Sequence, residues 1–187
     1  SSIPPPKPSA VSTVGGARGS YVVPASMSSY NNSSAPCFHE NCTIAVCRND
    51  KFLVIKLKDL DKDDMIFCQK NKLSKIKCIV QTKCLDNKHE FVEFNGGLLI
   101  TPYHPILISY SNKWEFPINI NKTTCIKECE YIYSIALENG NMMFINNIKC
   151  IALGHDITND DVAKHPFFGS QQVIEKLKSM EGFDKKR

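Results

Sequence analysis

The run EFVEFNGGLLI, residues 90–100, sets two short apolar stretches on either side of Asn95-Gly96. Asn-Gly suits a type I′ turn, because both central residues need positive φ, and it predicts a tight β-hairpin. The run YIYSIALENGNMMFI, residues 131–145, repeats the device at Asn139-Gly140. CTIAVC (42–47) and Phe52 to Leu57 are further strand candidates, and Ile76, Cys78 and Val80 alternate onto one face between Ile76 and Thr82. Short strands joined by tight turns, with few helical windows, predict an all-β domain.

The two ends read differently. Residues 1–36 are rich in Pro, Ser, Asn and Ala and hold no sustained apolar period, so a disordered linker or arm is expected there. Composition changes abruptly at Cys37, and the β-domain is expected over 37–148. Residues 149–187 form a small annex with one helix. Ser170 caps it, Val173, Ile174, Leu177 and Met180 share a face, and Gly182 stops it.

Bulk numbers exclude several partners. In 187 residues, 42% are apolar and 22% charged, so one ordinary core can be buried. The net charge of +4 comes from lysines spread along the chain, with no basic stripe among aromatics, so no nucleic-acid partner is expected. No apolar run has the length of a membrane span, and no signal-peptide core opens the chain. The nine cysteines are odd in number, so one at least cannot pair within the chain. They are expected as reduced thiols in an intracellular setting, and the domain as a monomer.

Cys37-Phe38 stands where the arm meets the first strand, and Thr101-Pro102-Tyr103-His104-Pro105 follows the Asn95-Gly96 turn. Together they resemble the Hedgehog/intein (Hint) superfamily, in which a cysteine opens the domain and a Thr-x-x-His motif supports it. LKDLDKDDMIFC resembles the family's apolar-x-Asp-Leu-x-x-Gly-Asp-x-Val segment, with Asp63 where glycine is usual. LLITPYHPILIS, KWEFP, YSIALENG, IKCIALGHDI and KHPFFGSQQVIEKL resemble the Vint subgroup, the Hint domains found beside von Willebrand A domains. The resemblance covers residues 37–187 and implies an all-β Hint fold with a small C-terminal α-containing annex.

It also implies an activity: attack of Cys37 on the peptide bond before it, giving a thioester between Pro36 and the Cys37 side chain. Thiolate is the reactive form of cysteine, and an amide nitrogen leaves only when protonated. His104 is the expected proton donor. Thr101 is expected to orient His104 or to hold the strained peptide group. Asp86, in Cys84-Leu85-Asp86, resembles the Hedgehog aspartate that activates the second nucleophile; a turn aspartate is the alternative. The upstream polypeptide, here a von Willebrand A domain by the resemblance, would be the acyl group. An external nucleophile would take it, recruited by 149–187 with Phe167 and Phe168 as apolar contacts, unless the annex merely covers a sheet edge. This is single-turnover self-processing and requires no cofactor.

Two departures shape that expectation. The end of the β-domain, Phe144-Ile145-Asn146-Asn147-Ile148-Lys149-Cys150, lacks the final His-Asn pair of splicing inteins. Cleavage or acyl transfer is therefore expected rather than splicing. The scissile carbonyl belongs to Pro36, whose fixed φ restricts its twist, so slow or conditional cleavage is expected. Two alternatives stay open. One is a degenerate Hint domain acting as a non-catalytic binding module. The other is a zinc-stabilised domain using Cys125 and Cys129 with Cys150, His155 or His165, although the spacing is not C-x-x-C.

Overall fold

The computed structural model describes Val14–Gly15, Arg18–Val23 and residues 35–178. Among these residues the chain is built from fifteen strands, two 3-10 turns and two short helices. A large sheet runs in the order β12 (Thr124–Glu128), β8 (Lys88–Phe94), β9 (Leu98–Ile100), β3 (Phe38–His39), β13 (Tyr131–Leu137), β7 (Lys72–Lys83), β6 (Met65–Gln69), β4 (Thr43–Arg48), β5 (Lys51–Lys56). A smaller sheet orders β11 (Lys113–Glu115), β10 (Ile106–Ile108), β15 (Ile148–Ile151) and β14 (Met142–Ile145). The helices are α1 (Pro117–Ile120) and α2 (Gln171–Lys178).

The long strand β7 organises the large sheet. One edge pairs with β13 over residues 76–83, and the other takes β6 over 72–75. Residues 78–82 on that second edge pair in parallel with β2 (Arg18–Val23), on which β1 (Val14–Gly15) folds back. So part of the stretch expected to be a disordered arm is strand. The reason is local: β6 leaves that edge open, and Tyr21-Val22-Val23 is β-prone. Both faces of β7 are buried rather than one. Cys78 and Val80 join one core cluster, while Ile76 and Ile79 join the other.

The turns partly differ from expectation. The β8–β9 hairpin forms around Asn95-Gly96, but the positive φ values fall on Gly96 (89°) and Gly97 (90°). The Asn139-Gly140 turn closes no hairpin: β13 pairs with β3 and β7, whereas β14 pairs with β15 in the other sheet. Only Gly140 takes positive φ there, and a Cβ at that point would lie 2.7 Å from that of Cys68, so this glycine serves a close approach between chain segments. Two-residue turns with both residues at positive φ occur instead at Asn49-Asp50 (51°, 63°), joining β4 to β5, and at Asn146-Asn147 (49°, 63°), joining β14 to β15. Asn and Asp tolerate the left-handed region through local side-chain hydrogen bonding.

The expected boundary at 148/149 falls inside a strand. β15 runs to Ile151, and Leu153 bridges in parallel to Ala136. The core therefore continues into the stretch assigned to the annex. Ser170 caps α2 as expected, accepting the Gln172 N–H at 3.3 Å. Val173, Ile174 and Leu177 are buried, whereas Met180 and Gly182 lie outside the described residues. This helix joins Phe167 and Phe168 in the cluster that also contains Ala35, Cys37, Phe91 and Ile132. The annex is thus part of the core that surrounds Cys37.

Candidate active site

Cys37 immediately precedes β3, the two-residue strand held between β9 and β13. Each neighbour delivers one hydroxyl to the Pro36–Cys37 peptide. Past the end of β9, the Thr101 N–H donates to the Cys37 carbonyl at 3.0 Å, prolonging the ladder and fixing the side chain. Thr101 Oγ1 then accepts the Cys37 N–H at 2.9 Å and donates to the Ala35 carbonyl at 2.6 Å. From β13, Ser134 Oγ donates to the Pro36 carbonyl at 2.5 Å and lies 3.3 Å from Cys37 Sγ. Its single hydroxyl proton is directed at Pro36, so at rest the thiol is the donor in the sulfur contact. Both ends of one peptide group are held, and the thiol rests on the hydroxyl that holds its carbonyl.

His104 arrives through a tight turn, its N–H donating to the Thr101 carbonyl at 3.2 Å. The imidazole is buried beneath Phe38, with ring centroids 4.3 Å apart. Nε2 lies 2.8 Å from the Ile151 carbonyl of β15, so it carries the proton, and the buried Nδ1 sits toward the Cys37 backbone without a well-formed hydrogen bond among the described residues. Burial lowers the His104 pKa to about 4, outweighing the Ile151 and Cys37 backbone groups that favour the protonated ring. Burial likewise pushes the Cys37 thiol up to about 12, with the Ser134 hydroxyl acting in the opposite sense. The resting pair is therefore neutral thiol and neutral imidazole.

The structure brings Pro36, Cys37, Thr101 and His104 together and leaves Asp86 apart. Asp86 is exposed in the turn between β7 and β8, at φ 55°, on a groove shared with Glu40, Asn41 and Glu130. Thr101 does not bond the His104 ring; of its two expected roles, it makes the contact with the peptide group. The late cysteines and histidines fall into separate places: Cys125 and Cys129 at the cluster around Cys37, Cys150 in the other cluster, and His155 with His165 on the annex side. Among the described residues no three His, Cys, Asp or Glu side chains come together as a metal site.

Ser134 was missed by the sequence reading. Its signal was present: it is the one polar residue inside YIYSIAL, a strand otherwise apolar or aromatic, and a buried hydroxyl there needs a partner. A cavity of about 210 Å³ abuts the site, lined by Pro36 on one side and by Val162, Ala163, His165 and Phe168 of the annex on the other.

Residues 36–187 match the family described as "Vint: Hint-domain". Among solved structures, a DnaB intein from Synechocystis sp. PCC 6803 is 14% identical, with a TM-score of 0.46, over 63% of this chain and 99% of that one. A mini-intein variant of Ssp DnaB gives 14% identity and a TM-score of 0.47 over 63% of this chain and 94% of that one. No curated protein matches.

Proposed function

We propose a self-processing reaction for this chain, which belongs to the Vint family of Hint domains: an N–S acyl shift at Pro36–Cys37, followed by release of the upstream polypeptide to an external nucleophile. The observation that carries this reading is the two-ended grip on one peptide group, Thr101 on its N–H and Ser134 on its C=O, with the attacking sulfur against the same serine.

In this reading the neutral His104 acts first as a base. Its Nδ1 takes the thiol proton as sulfur attacks the Pro36 carbonyl carbon, and the imidazolium returns that proton to the Cys37 nitrogen as the C–N bond breaks. The earlier expectation of a plain proton donor is thereby refined, because an imidazole whose pKa lies near 4 must be charged during the reaction before it can donate. Ser134 donates to the oxygen that becomes the oxyanion. Thr101 fixes the peptide plane and accepts the N–H of the departing nitrogen. The products are a Pro36 thioester on Sγ and a free Cys37 amine. The acyl group would be the polypeptide upstream, for which a von Willebrand A domain is the expected neighbour.

Intact-mass analysis with and without hydroxylamine, beside Cys37→Ala, tests this. Release of the residue 1–36 arm by the wild type and not by the variant supports the thioester. A folded wild type that stays uncut with every nucleophile favours the binding-module alternative.

A further inference from the structure

The cavity is lined by Pro36, the residue that would carry the acyl carbon, on one side and by the annex on the other. Its apolar wall includes Pro105, Phe116, Ile151 and Phe168. At about 210 Å³ it has room for about seven water volumes, below the range of drug-sized ligand sites. Its polar side chains are Tyr103, His155, Lys164 and His165, and among the described residues no Asp or Glu lines it.

The two histidines are not available as bases. His155 Nδ1 accepts the Ile157 N–H at 2.9 Å. His165 Nδ1 accepts the N–H groups of Phe167 at 3.0 Å and Phe168 at 2.9 Å. With the lone-pair nitrogens so used, each neutral ring carries its proton on Nε2; that of His155 is turned to the Ala163 backbone, and that of His165 is a donor. Asp86, the sequence-level candidate for a second-step base, lines a different groove. A nucleophile seated here gets no proton acceptor from the cavity wall. It also meets donors and Lys164 rather than any carboxylate, although Lys164 is itself paired with Asp161 at 2.9 Å.

We propose that this cavity is the acceptor pocket of the reaction and that it takes a small thiol with a compact apolar body. Water and alcohols need a base to attack at neutral pH. An amine is mostly a cation there, and no acidic group would hold it. A thiol ionises readily enough to attack as thiolate and suits a wall of donors. The inference rests on the thioester reading above. The thiolate adds to the Pro36 carbonyl carbon, a new C–S bond forms, and the Pro36–Cys37 thioester bond breaks. Cys37 leaves as thiolate and takes up the proton that the incoming thiol lost, so no oxidant or reductant is consumed.

The test uses the full chain in a phosphine reductant. Benzyl mercaptan, cysteamine and hydroxylamine are compared as releasing reagents on wild type and on Val162→Trp, which fills the cavity from a half-buried wall position. Benzyl mercaptan binding to Cys37→Ala is followed by ligand-observed NMR, with circular dichroism confirming each fold. The expected result is saturable release by benzyl mercaptan, with half-saturation raised about 10-fold or more in Val162→Trp, a loss of about 1.4 kcal/mol. Hydroxylamine release should slow far less than release by benzyl mercaptan, and cysteamine should not saturate. Absence of binding to Cys37→Ala, with hydroxylamine still releasing the arm, would overturn the pocket and leave the thioester reading standing. Binding without release by any reagent would overturn the thioester reading, and the acceptor role with it.

Discussion

Ser134 Oγ lies 2.5 Å from the Pro36 carbonyl oxygen and 3.3 Å from Cys37 Sγ, so one hydroxyl touches both atoms that would change charge in the proposed acyl shift. A donor placed on a carbonyl before attack becomes more valuable as the oxygen gains charge, and removing one costs about 10²–10³ in rate in acyl-transfer sites. Ser134→Ala should therefore slow hydroxylamine-driven arm release by about 10²-fold, while thermal melting shifts by only a few degrees. A wild-type rate in a folded Ser134→Ala would remove this residue from the mechanism.

Thr101 separates two kinds of loss. Thr101→Val keeps the shape but leaves the buried Cys37 N–H without its acceptor and removes one donor from the Ala35 carbonyl. Unsatisfied buried groups cost about 1–3 kcal/mol each, so urea unfolding should show a destabilisation of about 2 kcal/mol or more, with arm release slowed as well. Thr101→Ser retains the hydroxyl and should recover most of the rate and part of the stability. Equal behaviour of the two variants would mean that the methyl group, not the hydroxyl, is what the site requires.

Much of the candidate site was legible because each of its parts is local in sequence. Cys37 marks a compositional break, and Thr101 and His104 sit in one tight turn. Ser134 was less legible, since its meaning depends on β13 lying beside β3, a pairing between residues nearly a hundred positions apart. The all-β class followed from strand length and turn density, and the family match and the strand content agree with it. The turns were read less well. The weight given to Asn-Gly placed a hairpin at Asn139-Gly140, where the chain changes sheets. The hairpins at Asn49-Asp50 and Asn146-Asn147 have the same φ requirement met by residues with a weaker signature. The edge of β7 that receives β2 could not be seen from composition, because Arg18–Val23 gains its partner only after β6 stops short.

The His104 ring gives the protein a defined acid sensitivity. Its folded pKa, about 4, lies below the ordinary 6.5 because burial disfavours the charged ring. As pH falls below 6.5 the unfolded chain binds a proton that the folded chain refuses, so stability is lost between pH 6.5 and about 4. Over that window the loss from this group is on the order of 3 kcal/mol. Urea unfolding at pH 7 and pH 5 should show it directly, and His104→Gln should lose less over the same interval. His155, also lowered to about 4 by burial, acts in the same direction and remains in the variant. Identical pH dependence in wild type and variant would show that the imidazole is not desolvated.

Gly169 offers a test of how the annex shapes the site from a distance. A Cβ at this position would lie 2.8 Å from His155 Nε2 and 2.8 Å from the His165 carbonyl oxygen. The second of these is backbone and cannot rotate away. The same glycine donates its N–H to that carbonyl at 3.1 Å and accepts the Asp156 N–H at 2.7 Å, so the loop has little freedom to shift. Overpacking a constrained position costs about 1–3 kcal/mol, and Gly169→Ala should lower stability by that amount in urea unfolding. The strain falls on His155 and His165, which line the cavity next to Pro36, and on Phe168, which packs in the core with Cys37. Thiol-driven release should weaken more in Gly169→Ala than release by hydroxylamine, which needs no fitted cavity. Equal slowing by both reagents would place the damage in the shared core around Cys37 rather than in the cavity wall.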